Sequence, residues 1–171
     1  MVGDAAIELV ELDAGAHQIA IRKNSGVPGW QLFRLNALEL DWDRKALAFM
    51  KSSSQPAARK WEASLHNNTG YALHLLGRYE DALGEFKLAL AARERDGKAQ
   101  DIRIAYWMIA WTLRALSRLD EALAIQLRLE RECDEAGEPD PYVFEELELL
   151  YKALNNDEKA EFYAARRKAA A

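Results

Sequence analysis

Cysteine is almost absent from this chain of 171 residues, which has Cys133 as its single example. Because a lone cysteine cannot form an internal disulfide, a reducing compartment, the cytoplasm, is the expected location. The sequence also has no apolar run close to the roughly 20 residues of a membrane-spanning helix. Its acidic N-terminus lacks the basic start of a signal peptide. We therefore expect a cytoplasmic protein that neither crosses a membrane nor docks on one.

Positive charge is also in short supply. The 23 Lys and Arg residues are outnumbered by 28 Asp and Glu residues, which gives a net charge of −5. A nucleic-acid groove needs clustered cations, and anionic lipid attracts them, so both kinds of partner are disfavoured. With 4 Pro, 9 Gly and 50% hydrophobic residues, the composition is typical of a helix-rich globular domain with a continuous core.

Motifs of catalysis are missing as well: there is no phosphate-binding glycine loop, nucleophile elbow or metal-ligand spacing. His66 and His74 are eight residues apart, about 12 Å along a helix, too far to share a metal. We expect His66 to be a hydrogen-bonded core histidine. Carboxylates that cluster near helix starts are expected on a solvated face rather than in an acid/base pair: Glu80 with Asp81, Asp120 with Glu121, and Glu145 and Glu146 with Glu148. No enzyme activity, metal or cofactor is predicted.

What the sequence does contain is a helical hairpin over residues 67–90. Gly70, Leu73 and Leu76 fall on one face of a first helix. A turn follows at Gly77, because glycine suits the left-handed conformation that ends a helix. After this turn, apolar residues recur every three or four positions and form one face of a second helix. The residues of that second face are Tyr79, Ala82, Leu83, Phe86, Ala89 and Leu90.

The hairpin pattern recurs along the chain. Residues 110–122 repeat residues 70–82 at a shift of 40, so that LSRLDEAL (116–123) answers LGRYEDAL (76–83). A fainter third copy, LNNDEKA (154–160), follows 38 residues later. Three copies in phase indicate a helical repeat.

This pattern resembles the tetratricopeptide repeat (TPR), with a period longer than the usual 34 residues. The family's small and aromatic positions are matched by Gly70, Gly77, Tyr79, Ala82, Phe86 and Ala89. Thr69, Leu73 and His66 depart from the family's usual Leu, Tyr and opening Trp. The resemblance implies an all-α fold, a right-handed superhelix, or solenoid, of antiparallel helix hairpins.

Two parts of the chain are predicted. Residues 1–55 are expected to form N-terminal helices, and residues 56–171 about three TPR-like hairpins. Within the first part, residues 4–22 read as one helix or two short ones, with 19–22 open as a strand, followed by a loop at 23–29.

Helices are also predicted at residues 30–40 and 42–50, with Asp41 as the N-cap of the second. Whether this pair is a degenerate first repeat is open. Residues 52–56 are read as a linker or helix boundary, and Asp140 and Pro141 as a helix start. The basic residues 166–168 are read as a solvated helix end. Further helices are predicted at residues 57–76, 78–95, 98–116, 118–136, 141–154 and 156–169.

The resemblance also implies a binding groove lined by the first helix of each hairpin. Carried onto this sequence, its groove-facing positions are Asn67, Tyr71, His74 and Leu75, then Trp107, Trp111, Arg114 and Ala115, then Glu145, Leu149, Lys152 and Ala153. Trp107, Trp111 and Arg114 stand out, because aromatics and Arg dominate interface energetics. Two interpretations of the indoles stay open: a binding surface, or filling between neighbouring hairpins.

The expected function is a non-catalytic protein-interaction module that binds a peptide or protein segment. Some relatives hold a peptide's terminal carboxylate with a clamp of Lys and Asn side chains. The corresponding positions here are Asn67, Tyr71, Trp107 and Trp111, which include no cation. Binding of a terminal carboxylate is therefore disfavoured. A segment with apolar anchors, with a polar or acidic group near Arg114, fits better. A self-associating scaffold (a homo-oligomer) and a sensor or adaptor for a small signalling peptide remain alternatives.

Overall fold

Helices make up almost all of the described chain. The computed structural model describes residues 29–54 and 56–170. Within these residues there are seven α-helices, one short 3-10 helix and no strand. In chain order the elements are α1 (Gly29–Ser52), the 3-10 helix (Pro56–Trp61), α2 (Glu62–Leu75), α3 (Tyr79–Asp96), α4 (Ala99–Ala115), α5 (Leu119–Ala136), α6 (Pro141–Ala153) and α7 (Asp157–Ala170). The predicted all-α class is therefore confirmed.

The predicted helix boundaries from residue 78 onward agree with the structure to within one residue. The predicted boundary at 52–56 is also confirmed, because α1 ends at Ser52. The helix predicted at 57–76 differs at its start, where six residues from Pro56 form a 3-10 helix before α2 begins. Short 3-10 segments are common at helix N-termini.

The N-terminal helix is continuous where the sequence predicted a break. α1 runs from Gly29 to Ser52, so the predicted N-cap at Asp41 and the pair of helices around it are wrong. Asp41 instead pairs with Lys45 one turn later, at 2.6 Å between Oδ2 and Nζ. No glycine or proline lies between residues 30 and 52 to stop the helix. The predictions for residues 1–28 lie outside the described residues.

The turn inside each hairpin has the same geometry in all three copies of the repeat. Gly77, Ser117 and Asn155 each adopt a left-handed conformation, with φ of 74°, 60° and 55°. The next backbone N–H then donates to a carbonyl five residues earlier, at 2.9 Å in every case: Arg78 to Leu73, Arg118 to Leu113, and Asn156 to Tyr151. These bonds satisfy carbonyls that the helix end would otherwise leave unpaired.

Small residues mark the places where helices approach closely. Ala82, Ala122 and Ala160 occupy equivalent positions and are all buried. In the first hairpin, a Cβ added to Gly70 would lie 2.8 Å from ring carbons of Phe86. The backbone of α2 and the Phe86 ring of α3 thus fit together only because residue 70 has no side chain.

Each described helix packs mainly against the helices that precede and follow it, and α4 also touches α6. Two apolar cores result. The first includes Leu73, Phe86 and Leu113, and the second includes Phe144 and Leu147. At the start of α6, the Asp140 side chain accepts from the Tyr142 N–H at 2.8 Å, which confirms the predicted cap. The right-handed superhelix and the division into domains stay predictions.

Candidate functional site

Three aromatic rings form a continuous row across α2 and α4. The Tyr71 ring lies 5.9 Å from that of Trp111, with 22° between their planes. Trp111 in turn lies 6.0 Å from Trp107, with 18° between planes. All three side chains are partly buried. The repeat produces this row, because Trp111 stands 40 residues after Tyr71 and Trp107 stands one turn before Trp111.

The row also belongs to the packing between hairpins. Trp107 packs against both apolar cores, and Trp111 against the first. The Trp107 Nε1–H donates to the carbonyl oxygen of Tyr142 on α6, at 3.2 Å. These contacts agree with the interpretation that the indoles fill a junction, yet each ring keeps some accessible surface. The interpretation of the indoles as a binding surface stays a prediction.

His74 lies behind this row as a buried support. Its ring stacks on Trp111 with centroids 3.3 Å apart, and it meets the edge of Tyr79 at 4.8 Å. The Thr112 hydroxyl donates to the Met108 carbonyl, so its oxygen accepts from His74 Nδ1–H at 3.2 Å. Burial, with a smaller contribution from the Arg114 charge, lowers the pKa of His74 to about 4. His74 is therefore neutral at pH 7.

Arg114 is engaged in an ion pair within the chain. Its Nε and one terminal nitrogen donate to the two carboxylate oxygens of Glu146 on α6, both at 2.8 Å. This hydrogen bond raises the pKa of Arg114. Fork-to-fork pairing of this kind is the strongest geometry for Arg and a carboxylate. Arg114 thus joins α4 to α6, and an acidic group of a partner would compete with Glu146 for it.

The carboxylates of α6 do not all lie on a solvated face. Glu146 is 3% exposed and Glu148 is 7% exposed, so that expectation is wrong for both. Their places in the repeat explain the burial, because they stand 38 residues after Met108 and Ala110, which are buried too. This alignment with buried positions could be read from the sequence, but it was missed because the third copy of the repeat is faint.

Charged side chains on α6 and α7 form ion pairs. Lys152 Nζ donates to Glu148 Oε1 at 2.5 Å. Arg167 reaches both Glu148 and Glu145, each at 3.2 Å. The third copy therefore presents an ion-paired surface where the first two present aromatic rings.

Asn67 makes its hydrogen bond away from the aromatic row. Its Oδ1 accepts from Arg93 at 3.3 Å, and Arg93 also donates to the Asp101 carbonyl at 3.2 Å. Of the predicted site residues, the structure brings together Tyr71, His74, Trp107, Trp111 and Arg114. Asn67 and Lys152 have their hydrogen bonds elsewhere. Glu146 and Thr112 support this group and were not among the predicted site residues.

Other polar groups have structural surroundings. The prediction for His66 is confirmed, because it is buried with Nδ1 2.6 Å from a carboxylate oxygen of Glu85. Cys133 is buried and free, and burial raises the pKa of its thiol, which disfavours the nucleophilic thiolate. Among the described residues, no three His, Cys, Asp or Glu side chains are grouped to hold a metal ion. The described helices include none with the length and apolar character to span a bilayer.

Comparison with known proteins bears on the fold. No family model matches the chain, and no curated protein matches its sequence. A similar solved structure is BtubC (BKLC) from P. vanneervenii, with a TM-score of 0.63 and 20% sequence identity. The match covers 84% of this chain and 64% of the BtubC chain. At this identity the likeness concerns helical architecture alone.

Proposed function

We propose that the chain is a protein-interaction module without catalytic activity. In this proposal its hairpins stack as a right-handed solenoid, and α2, α4 and α6 line a concave face that binds a peptide or protein segment. The repeated turn geometry and the packing between sequence neighbours support the stack. The aromatic row of Tyr71, Trp111 and Trp107 is the observation that carries the binding role.

The spacing of the row suits a regular segment. Its rings are 5.9 and 6.0 Å apart. Side chains on one face of an extended strand recur about every 6.6 Å, and residues four apart on a helix rise by about 6 Å. A segment with apolar side chains at one of these intervals would place successive anchors against successive rings.

The surroundings of the row are prearranged for binding. His74 fixes Trp111 from behind, and the Tyr142 carbonyl fixes Trp107. Rings that are already ordered lose little side-chain entropy when a partner arrives. The Arg114–Glu146 pair contributes a polar border with no net charge, so apolar anchors with an uncharged polar neighbour fit better than a strongly acidic segment.

Selection from a random peptide display library tests this proposal. Selected peptides are expected to lose about tenfold or more in affinity for a Trp107→Ala/Trp111→Ala variant, because buried aromatic anchors supply more than about 1.4 kcal/mol each. Binding is measured by calorimetry, and circular dichroism verifies that the variant remains helical.

Phe162→Ala provides the matched control, since Phe162 is an exposed aromatic on α7, outside the row. It should leave the affinity unchanged. Peptides that bind the Trp107→Ala/Trp111→Ala variant as well as the unaltered chain would refute the role of the row. So would peptides that are lost only on Phe162→Ala.

A further inference from the structure

The outward face of α1 carries a line of exposed apolar side chains. Leu38, Trp42 and Phe49 are 57%, 69% and 72% exposed. At about 100° per residue, these three positions fall within roughly 40° of one another around the helix. We call them the α1 stripe. A contiguous apolar surface bordered by polar residues is typical of a protein interaction site.

The α1 stripe is not the side of α1 that packs inside the chain. Leu40 and Leu47, on the opposite side of the helix, are buried, and Leu40 belongs to the first apolar core. The last described helix, α7, has no such stripe, since Phe162 is its one large exposed apolar side chain. The stripe is therefore a feature of α1 in particular, and the packing among the described helices does not use it.

An ion pair lies along one edge of the α1 stripe. Lys45 Nζ is 2.6 Å from Asp41 Oδ2, and both side chains are more than half exposed. The same ammonium group is 5.2 Å from the centre of the Trp42 ring. A carboxylate has two acceptor oxygens and an ammonium group has three N–H donors, so each member of the pair can bond a second partner.

We propose that the α1 stripe binds the α1 stripe of a second copy of this chain, in antiparallel orientation. A two-fold axis crossing between residues 43 and 44 would place Leu38 level with Phe49 of the second copy, because both are about 5.5 residues from that axis. The two Trp42 rings would meet close to the axis. Each apolar side chain of the stripe thus has an apolar counterpart in a symmetric dimer.

Charge complementarity favours the antiparallel orientation. At about 1.5 Å per residue, Asp41 would lie within roughly 2 Å in height of Lys45 of the second copy, on the same edge of the stripe. The symmetry creates two such contacts between opposite charges. A parallel copy would instead bring Asp41 against Asp41 and Lys45 against Lys45, and like charges that face each other across an interface are unfavourable.

The size of the stripe indicates a weak, reversible dimer. Trp42 and Phe49 are about 70% exposed, and aromatic rings bury roughly 150–250 Å² each when they are covered. The four rings of two copies would therefore bury roughly 400–700 Å². Interfaces below about 1,200 Å² belong to transient complexes rather than to obligate dimers.

Sedimentation equilibrium of the full chain over a range of concentrations tests the proposal. The unaltered chain should pass from monomer to dimer as its concentration rises. Trp42→Ala/Phe49→Ala should weaken dimerisation by about tenfold or more, because it removes the central rings. Phe162→Ala is the matched control, an exposed aromatic outside the stripe, and should leave the dissociation constant unchanged. Circular dichroism verifies that the variants remain helical.

Charge reversal tests the orientation. Asp41→Lys and Lys45→Asp should each weaken dimerisation by about fivefold or more, since each replaces opposite charges across the interface with like charges. An equal mixture of the two variants should dimerise as well as the unaltered chain, because their charges are then complementary. The mixture does not restore the ion pair within either copy, so recovery reports the contact between copies.

Three results would overturn the proposal. A chain that stays monomeric up to about 1 mM would assign the α1 stripe to another segment of the chain or to a different protein. A dimer that persists in Trp42→Ala/Phe49→Ala would place self-association on another surface. Charge-reversed variants that dimerise like the unaltered chain would exclude the antiparallel contact. The aromatic row lies on other helices, so none of these results depends on peptide binding there.

Discussion

The hairpins α2–α3 and α4–α5 have nearly the same turn but differ at the crossing behind it. In the first hairpin, Phe86 is fully buried against Gly70. In the second, the residues 40 positions later are Ala110 and Gln126, and Gln126 is fully buried with both side-chain polar atoms unpaired. The turn motif thus specifies how a helix ends, while each crossing is packed by its own residues.

The same contrast holds on the proposed binding face. His74, Arg114 and Lys152 occupy one position of the repeat. His74 is buried and neutral, Arg114 is partly buried and paired with Glu146, and Lys152 is exposed and paired with Glu148. The position in the repeat therefore determines which face of the helix a side chain occupies. The neighbouring residues determine its burial, its charge and its ion pairing.

Gly70→Ala should break the first crossing and cost up to about 3 kcal/mol of unfolding free energy, because it forces a methyl group against a buried ring. Gly84→Ala on α3 is the control, since an added Cβ there meets nothing within 4 Å. It should instead stabilise the helix by about 0.5–1 kcal/mol. Urea unfolding measures both, and equal effects of the two changes would contradict the tight contact at Gly70.

Acidification should weaken the first hairpin through His74. Its folded pKa of about 4 lies below the ordinary value of 6.5, so the unfolded chain binds the proton more tightly. Stability is therefore lost as pH falls from 6.5 towards 4, by about 2 kcal/mol at pH 5.

His74→Phe keeps a ring against Trp111 and removes the titrating group, so it should show a smaller loss between pH 7 and pH 5. Urea unfolding at the two pH values measures this difference. An NMR titration that places the His74 pKa near 6.5, or an unchanged pH dependence in the variant, would disprove the assignment.

Gln126→Leu should sharpen the comparison by making the second crossing apolar like the first. The change removes two unpaired buried polar atoms at similar volume, and a gain of about 1 kcal/mol is expected. Gln100→Leu, at an exposed position of α4, should change stability by less than about 0.5 kcal/mol. A loss of stability on Gln126→Leu in thermal unfolding would mean that the amide is satisfied in solution.

Local signals in the sequence predicted most of the helix boundaries well. Gly77 and Pro141 act on their own backbone, by permitting φ above zero or by fixing φ at a helix start, so their effects need no distant partner. The wrong prediction of an N-cap at Asp41 also came from a local signal. A residue that can cap a helix also tolerates an exposed interior position when Lys45 lies one turn away.

The sequence by itself determined the helices from residue 78 onward, the hairpin turns and the recurrence that aligns Tyr71 with Trp111. Only the tertiary structure decided that Arg114 pairs with Glu146 and that His74 lies buried behind Trp111. Those contacts join residues more than 30 positions apart. They depend on how α2, α4 and α6 are placed relative to one another, because burial and pairing are set by neighbours in space rather than in the chain.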